Sequence, residues 1–115
     1  MMRTTTDHHN TITTLKKLRC LEAYLAADST AADAVLDSSL TKLLAREQLR
    51  MQRLVQRLQE ELRRFEAAHR LLSEEFYARY CRGELGDAMD FIEWAATVEM
   101  LADAEKRLAL LSTAP

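Results

Sequence analysis

The chain has 115 residues, of which 48% are apolar and 30% charged, and its net charge is −2. That length holds one domain with a modest core and leaves no room for a second. No run approaches the roughly 18 consecutive apolar residues of a membrane span, and residues 1–10 lack the apolar stretch of a secretory signal.

Leu, Ala, Glu and Arg dominate, which is the composition of a helical or coiled-coil protein. Cys20 and Cys81 stand alone, without a close pair or metal-ligand spacing, and two solitary thiols fit a reducing cytosol. A cytoplasmic location is therefore expected. The small net charge hides a division. Residues 1–37 carry four basic and five acidic groups, residues 38–70 eight and four, and residues 71–115 four and nine. A basic middle and an acidic end can attract each other across a helix pair, or each can face a partner.

In chain order, residues 1–11 read as a flexible tail. His8-His9 lacks the three or four convergent ligands a metal site needs. The threonines around Ile12 read as helix-start signals, and a first helix is expected over 14–27, with Leu15, Leu18, Leu21 and Leu25 on one side. Cys20 reads as a small apolar residue on that helix. Thr30 and Asp33 resemble a capping box with a shortened acid. Asp37-Ser38-Ser39 is a second cap-like cluster, at which the chain can bend or restart.

A long helix is expected over 31–68. Within it Leu44, Met51, Leu58 and Phe65 recur every seven residues, interleaved with Gln48, Val55, Leu62 and His69. Alternating steps of three and four make the seam of a coiled coil, and the row carries on to Leu72 and Phe76. Thirty residues of such a helix reach about 45 Å, so it has to lie along other helices, from this chain or from a second copy. Gln48 and His69 are polar seam positions of the kind that fix register. On the opposite face Arg46, Arg50, Arg53 and Arg57 form a basic stripe. The stripe can track phosphates, grip an acidic protein surface, or simply face water; no aromatic residue is interleaved for base stacking.

Ser73-Glu74-Glu75 makes a helix start for a segment over 73–82, with Phe76, Tyr77 and Tyr80 on it. Gly83 and Gly86 are the only glycines and Pro115 the only proline. A helix ends cheaply at glycine, which takes a left-handed conformation without a Cβ clash. A last helix over 88–111 then opens at Asp90 and Glu93 as a capping-box pair, with Phe91, Trp94, Val98, Leu101 and Leu108 as its stripe. It is expected to fold back along the long helix, with Trp94 near Phe76 or Phe65. Glu84, Asp87, Asp90 and Glu93 lack the alternating pattern of a calcium loop. Cys81 has no evident activating base, and no phosphate-binding glycine loop exists. No enzyme, metal or cofactor is expected.

Four motifs stand together in order: Leu43-Leu44-Ala45-Arg46-Glu47, Leu62-Arg63-Arg64-Phe65-Glu66, Ser73-Glu74-Glu75-Phe76-Tyr77, and Gly83-Glu84-Leu85-Gly86-Asp87 through Asp90-Phe91-Ile92-Glu93-Trp94. With them, residues 40–111 resemble a group of small helical proteins of bacteria and archaea, encoded beside small toxins of the TumE type and taken to be their antitoxins. The group usually has a glycine turn before its Ser-Glu-Glu-Phe segment, and here His69-Arg70-Leu71-Leu72 stands in that place. The long helix can therefore stop near 68 or continue to 82.

The resemblance implies an antitoxin-like protein that neutralises a small, ribonuclease-like partner through its helices. Phe76, Tyr77, Tyr80, Phe91 and Trp94 are the candidate anchors, with Glu84, Asp87 and Asp90 as an acidic rim toward a basic toxin cleft. The expected fold is all-α: a long helix and a C-terminal helix folded back after the glycine turn, in a helical bundle that dimerises along the seam Leu44, Gln48, Met51, Val55, Leu58, Leu62 and Phe65. Two alternatives stand beside it, a structural coiled-coil homodimer and a DNA-binding regulator that uses the Arg46–Arg57 stripe.

Overall fold

The computed structural model describes residues 2–112, with side chains from Asn10 onward. The side chains of His8 and His9, and Pro115, lie outside the described residues. Among the described residues the chain is all-α, with four helices and no strand. It separates into two compact units, the first ending at Thr41 and the second starting at Lys42, where one domain was expected.

In the first unit α1 spans Met2–Ala27, so the stretch expected to be a flexible tail over 1–11 is helical and continuous with the helix expected from 14. A short 3-10 turn, Ser29–Ala31, follows. Asp28 caps it, its carboxylate accepting from the Thr30 backbone N–H at 3.0 Å and from the Thr30 hydroxyl. Asp33 then caps α2 (Ala34–His69), accepting the Leu36 N–H at 2.8 Å. Each acid therefore caps its own element, in place of the expected Thr30–Asp33 box. A carboxylate is the stronger acceptor and meets the helix dipole as well. The helix runs on through Asp37-Ser38-Ser39 without a restart. Ser39 and Thr41 turn their hydroxyls onto the carbonyls four residues back, Val35 and Asp37, which satisfies them without a break.

In the second unit α2 runs on to His69 and stops. Leu71 donates its N–H to the Glu66 carbonyl, and Arg70 sits at φ 52 in the left-handed region. This is the Schellman ending that glycine usually provides, here forced on an arginine. The alternative of one helix to 82 is thereby excluded. Glu66 holds the corner from the other side, its carboxylate accepting the Ser73 N–H at 2.9 Å. The next helix, α3 (Ser73–Cys81), thus takes its cap from a side chain of α2 and not from Ser73.

Helix α3 ends in a second Schellman motif. The Gly83 N–H donates to the Tyr80 carbonyl and the Glu84 N–H to that of Arg79, with Gly83 at φ 74. Helix α4 (Met89–Ser112) starts one residue before Asp90. The Ala88 carbonyl accepts from Phe91 and Ile92, so Asp90 lies inside the first turn and does not cap it.

Helix α4 returns antiparallel to α2. Phe65 lies beside Trp94, with ring centroids 5.6 Å apart, and Gln48 reaches the Leu111 carbonyl at 2.8 Å. Seventeen residues along α2 thus match seventeen back along α4, so the two helices stay in register over their shared length. Leu58 and Leu62 are buried on the seam, while Met51, Val55 and Phe65 are half-buried. Together with Phe76, Trp94, Ala95 and Ala104 they make the core. The seam expected to meet a second chain is covered from within. Only its first position, Leu44, stays exposed, because α4 ends opposite Gln48.

A left-handed arginine costs roughly 1–2 kcal/mol that glycine does not incur, partly offset by glycine's greater freedom when unfolded. Arg70→Gly should therefore raise stability by roughly 0.5–1 kcal/mol, seen as a higher urea midpoint with an unchanged slope.

Candidate functional site

The expected anchors divide into two groups. Phe76 and Trp94 are completely buried. Their rings stack at 3.8 Å with planes only 3° apart, and the Trp94 indole N–H donates to the Ser73 hydroxyl at 3.0 Å. Neither can meet a partner without opening the core, which corrects their expected role as partner-binding residues. Phe91, Tyr77 and Tyr80 are half-buried. Phe91 lies 5.8 Å from Phe76 and 5.5 Å from His69, and Tyr80 lies 5.6 Å from Phe76, so each gives one side to the cluster and keeps another outward. His69, the polar residue at the end of the seam, stacks on Trp94 at 5.3 Å and faces Asp90 across 3.6 Å.

The acidic residues are all exposed but differ in what opposes them. Glu84 pairs with Arg82, whose guanidinium hydrogen-bonds its carboxyl and holds it below the usual carboxylate range. Asp90 has His69. Asp87 and Glu93 have no ion pair among the described residues.

Two grooves flank α4. One is an open cleft of about 610 Å³ between α2 and α4, with Phe65, Ala68, Ala96 and Met100 in its lining and Glu61, Asp90 and Glu93 among its charged residues against one cation, Arg64. The other lies between α3 and α4, lined by Leu62, Val98, Leu101 and Tyr77 with Glu74 and Glu105 beside them. Both are apolar with acidic borders. Neither carries a catalytic arrangement, and no group of three or more potential metal ligands occurs among the described residues.

The basic stripe lies on the exposed side of α2, and its members differ too. Glu47 lies within 3.7 Å of Arg46 and 3.3 Å of Arg50, whereas Arg53 and Arg57 have no ion pair among the described residues. Half of the row is thus partly neutralised by its own helix.

Three contacts were not visible as such in the sequence. These are Glu66 capping α3, Gln48 closing the last turn of α4, and Tyr77 donating to Glu99 at 2.7 Å. Gln48 was signalled by its polarity within an apolar seam. Glu66 and Glu99 had no such signal, because each acts on a residue of a different helix. No helix among the described residues is long and apolar enough to cross a membrane. No family model, curated protein or solved structure matches the chain.

The Glu99 carboxylate, and secondarily the Cys81 thiol, push the Tyr77 hydroxyl well above its ordinary value of 10.0. A raised value favours the protonated form in the folded state. The contribution of this bond is therefore complete below the ordinary value and is lost as pH rises through the raised one. Tyrosinate absorbance should show a late-ionising tyrosine that Tyr77→Phe removes, and the stabilities of the two proteins should converge as pH climbs past about 10.

Proposed function

We propose that the chain is a non-catalytic, antitoxin-like binding protein that holds a small, basic partner on its second unit. The observation that carries this reading is the cleft between α2 and α4, where an apolar lining meets three carboxylates, Glu61, Asp90 and Glu93, and one arginine. An apolar groove with a border of one sign suits an amphipathic helix or strand of opposite charge. Met100, half exposed at 52%, is the adaptable side chain such a groove offers to an incoming apolar residue. His69 belongs to the lining with Phe91 packed against it at 5.5 Å, and the exposed Asp87 lies in the glycine turn. The family resemblance supplies the partner class, a small ribonuclease-like toxin whose RNA-handling cleft is basic. Covering that cleft with carboxylates would block its substrate by charge and by bulk.

Co-expression with the product of the neighbouring reading frame, followed by capture, should yield a stable complex. Met100→Asp and Glu93→Lys should each weaken it at least about tenfold, as expected for groove-centre and opposed-charge positions. Arg63→Ala, exposed and turned away from Glu61, Phe65 and Ala68 on α2, should change affinity by less than about 0.5 kcal/mol. Absence of a complex with the wild-type chain overturns the reading.

A further inference from the structure

Residues 10–41 contain no buried residue at all. Helix α1 nevertheless carries Leu15, Leu18 and Leu21 at 45, 50 and 44% exposure, with Leu25 half-buried one turn on. A helix with an apolar row of this kind gains most of its stability from covering that row. The row has a definite period. Leu18, Leu21 and Leu25 follow steps of three and four, and Thr11 and Thr14 continue the same steps toward the N-terminus. These are the a and d positions of a short heptad seam.

The residues beside the seam decide what covers it. With Leu18 and Leu25 at a and Leu21 at d, Lys17 falls at the g position and Glu22 at the following e position. In two parallel helices in register, g of one chain meets the next e of the other. Lys17 then faces Glu22 of the second copy, and Glu22 faces its Lys17. In an antiparallel pair g meets g and e meets e, which sets Lys17 against Tyr24 and Glu22 against Leu15 and forms neither ion pair. Neither Lys17 nor Glu22 has an ion pair within its own chain among the described residues. The face is thus complementary to itself in charge, in one orientation.

We propose that α1 is a self-association surface, with two copies pairing α1 side by side in parallel along Leu18, Leu21 and Leu25 and locked by reciprocal Lys17–Glu22 pairs. Its residues all belong to α1, and none of them lines the seam of α2 or the acidic cleft. Each chain of the dimer brings its own cleft.

Charge reversal tests this on the full chain by sedimentation equilibrium. The wild-type chain should dimerise. Lys17→Glu and Glu22→Lys alone each put like charges at both contacts and should raise the dimer Kd roughly tenfold. The double variant restores opposite charges and should regain most of the wild-type affinity. With Cys20 and Cys81 replaced by serine, Leu21→Cys should cross-link to its own counterpart under mild oxidation, as a parallel d position requires. A monomer at all concentrations overturns the proposal. So does a dimer indifferent to the single reversals, a double variant no better than the singles, or the absence of the Leu21→Cys cross-link.

Discussion

The second unit depends on one interaction, the stacking of Trp94 on Phe76. Trp94 belongs to α4 and Phe76 to α3, and their planes are within 3° of parallel at 3.8 Å. Phe65 and His69 bring α2 to the same indole. One ring therefore touches all three helices, and its N–H is satisfied by Ser73 at the start of α3. Burying two such rings supplies more than any other pair here. Truncating a buried aromatic typically costs about 3–5 kcal/mol, and a stacked pair adds about 0.5–1.5 kcal/mol beyond its area. A hydrogen-bonded tryptophan also fixes direction, which a leucine cluster does not. The two corners exist to bring these rings together. The left-handed Arg70 swings α3 off the axis of α2, and Gly83 lets the chain turn again toward α4.

That use of the aromatics determines what remains at the surface. Phe76 and Trp94 are taken up by the core, and the side chains left outward are the half-buried Phe91, Tyr77 and Tyr80, Met100, and the carboxylates that border the clefts. The binding role proposed above rests on these. The charge division of the sequence acquires a structural sense. The acidic last helix lies along α2 with its own carboxylates facing outward, while the arginines of α2 point away from the seam. Attraction between the two helices is carried by packing. Their charges are left for whatever approaches from solvent.

Most of this architecture was legible in the residues. The heptad steps from Leu44 to Phe65 located the long helix and its inner face, and the two glycines located the second corner. The fold-back after the glycine turn put Trp94 near Phe76 or Phe65, and both lie beside it. The sequence was silent on what covers the seam, because a 3.5-residue period is the same for an intrachain hairpin and for a dimer. It was equivocal at Arg70, since arginine is a good helix former and nothing local stops it. The stop comes from Glu66 and from the gain of burying Phe76, both tertiary effects. The anchors were misjudged for a related reason. Aromatic residues mark cores and interfaces alike, and only burial separates the two.

The central claim is that Trp94 joins α2, α3 and α4 of a single chain. Isotope-filtered NOE spectroscopy on a mixture of labelled and unlabelled chains tests it directly. The account predicts strong contacts from the Trp94 indole to Phe76, Phe65 and the Ser73 side chain within one labelled chain, with an indole N–H protected from exchange. Contacts that appear only between labelled and unlabelled chains would contradict it, and so would a rapidly exchanging indole with no contact to Phe76.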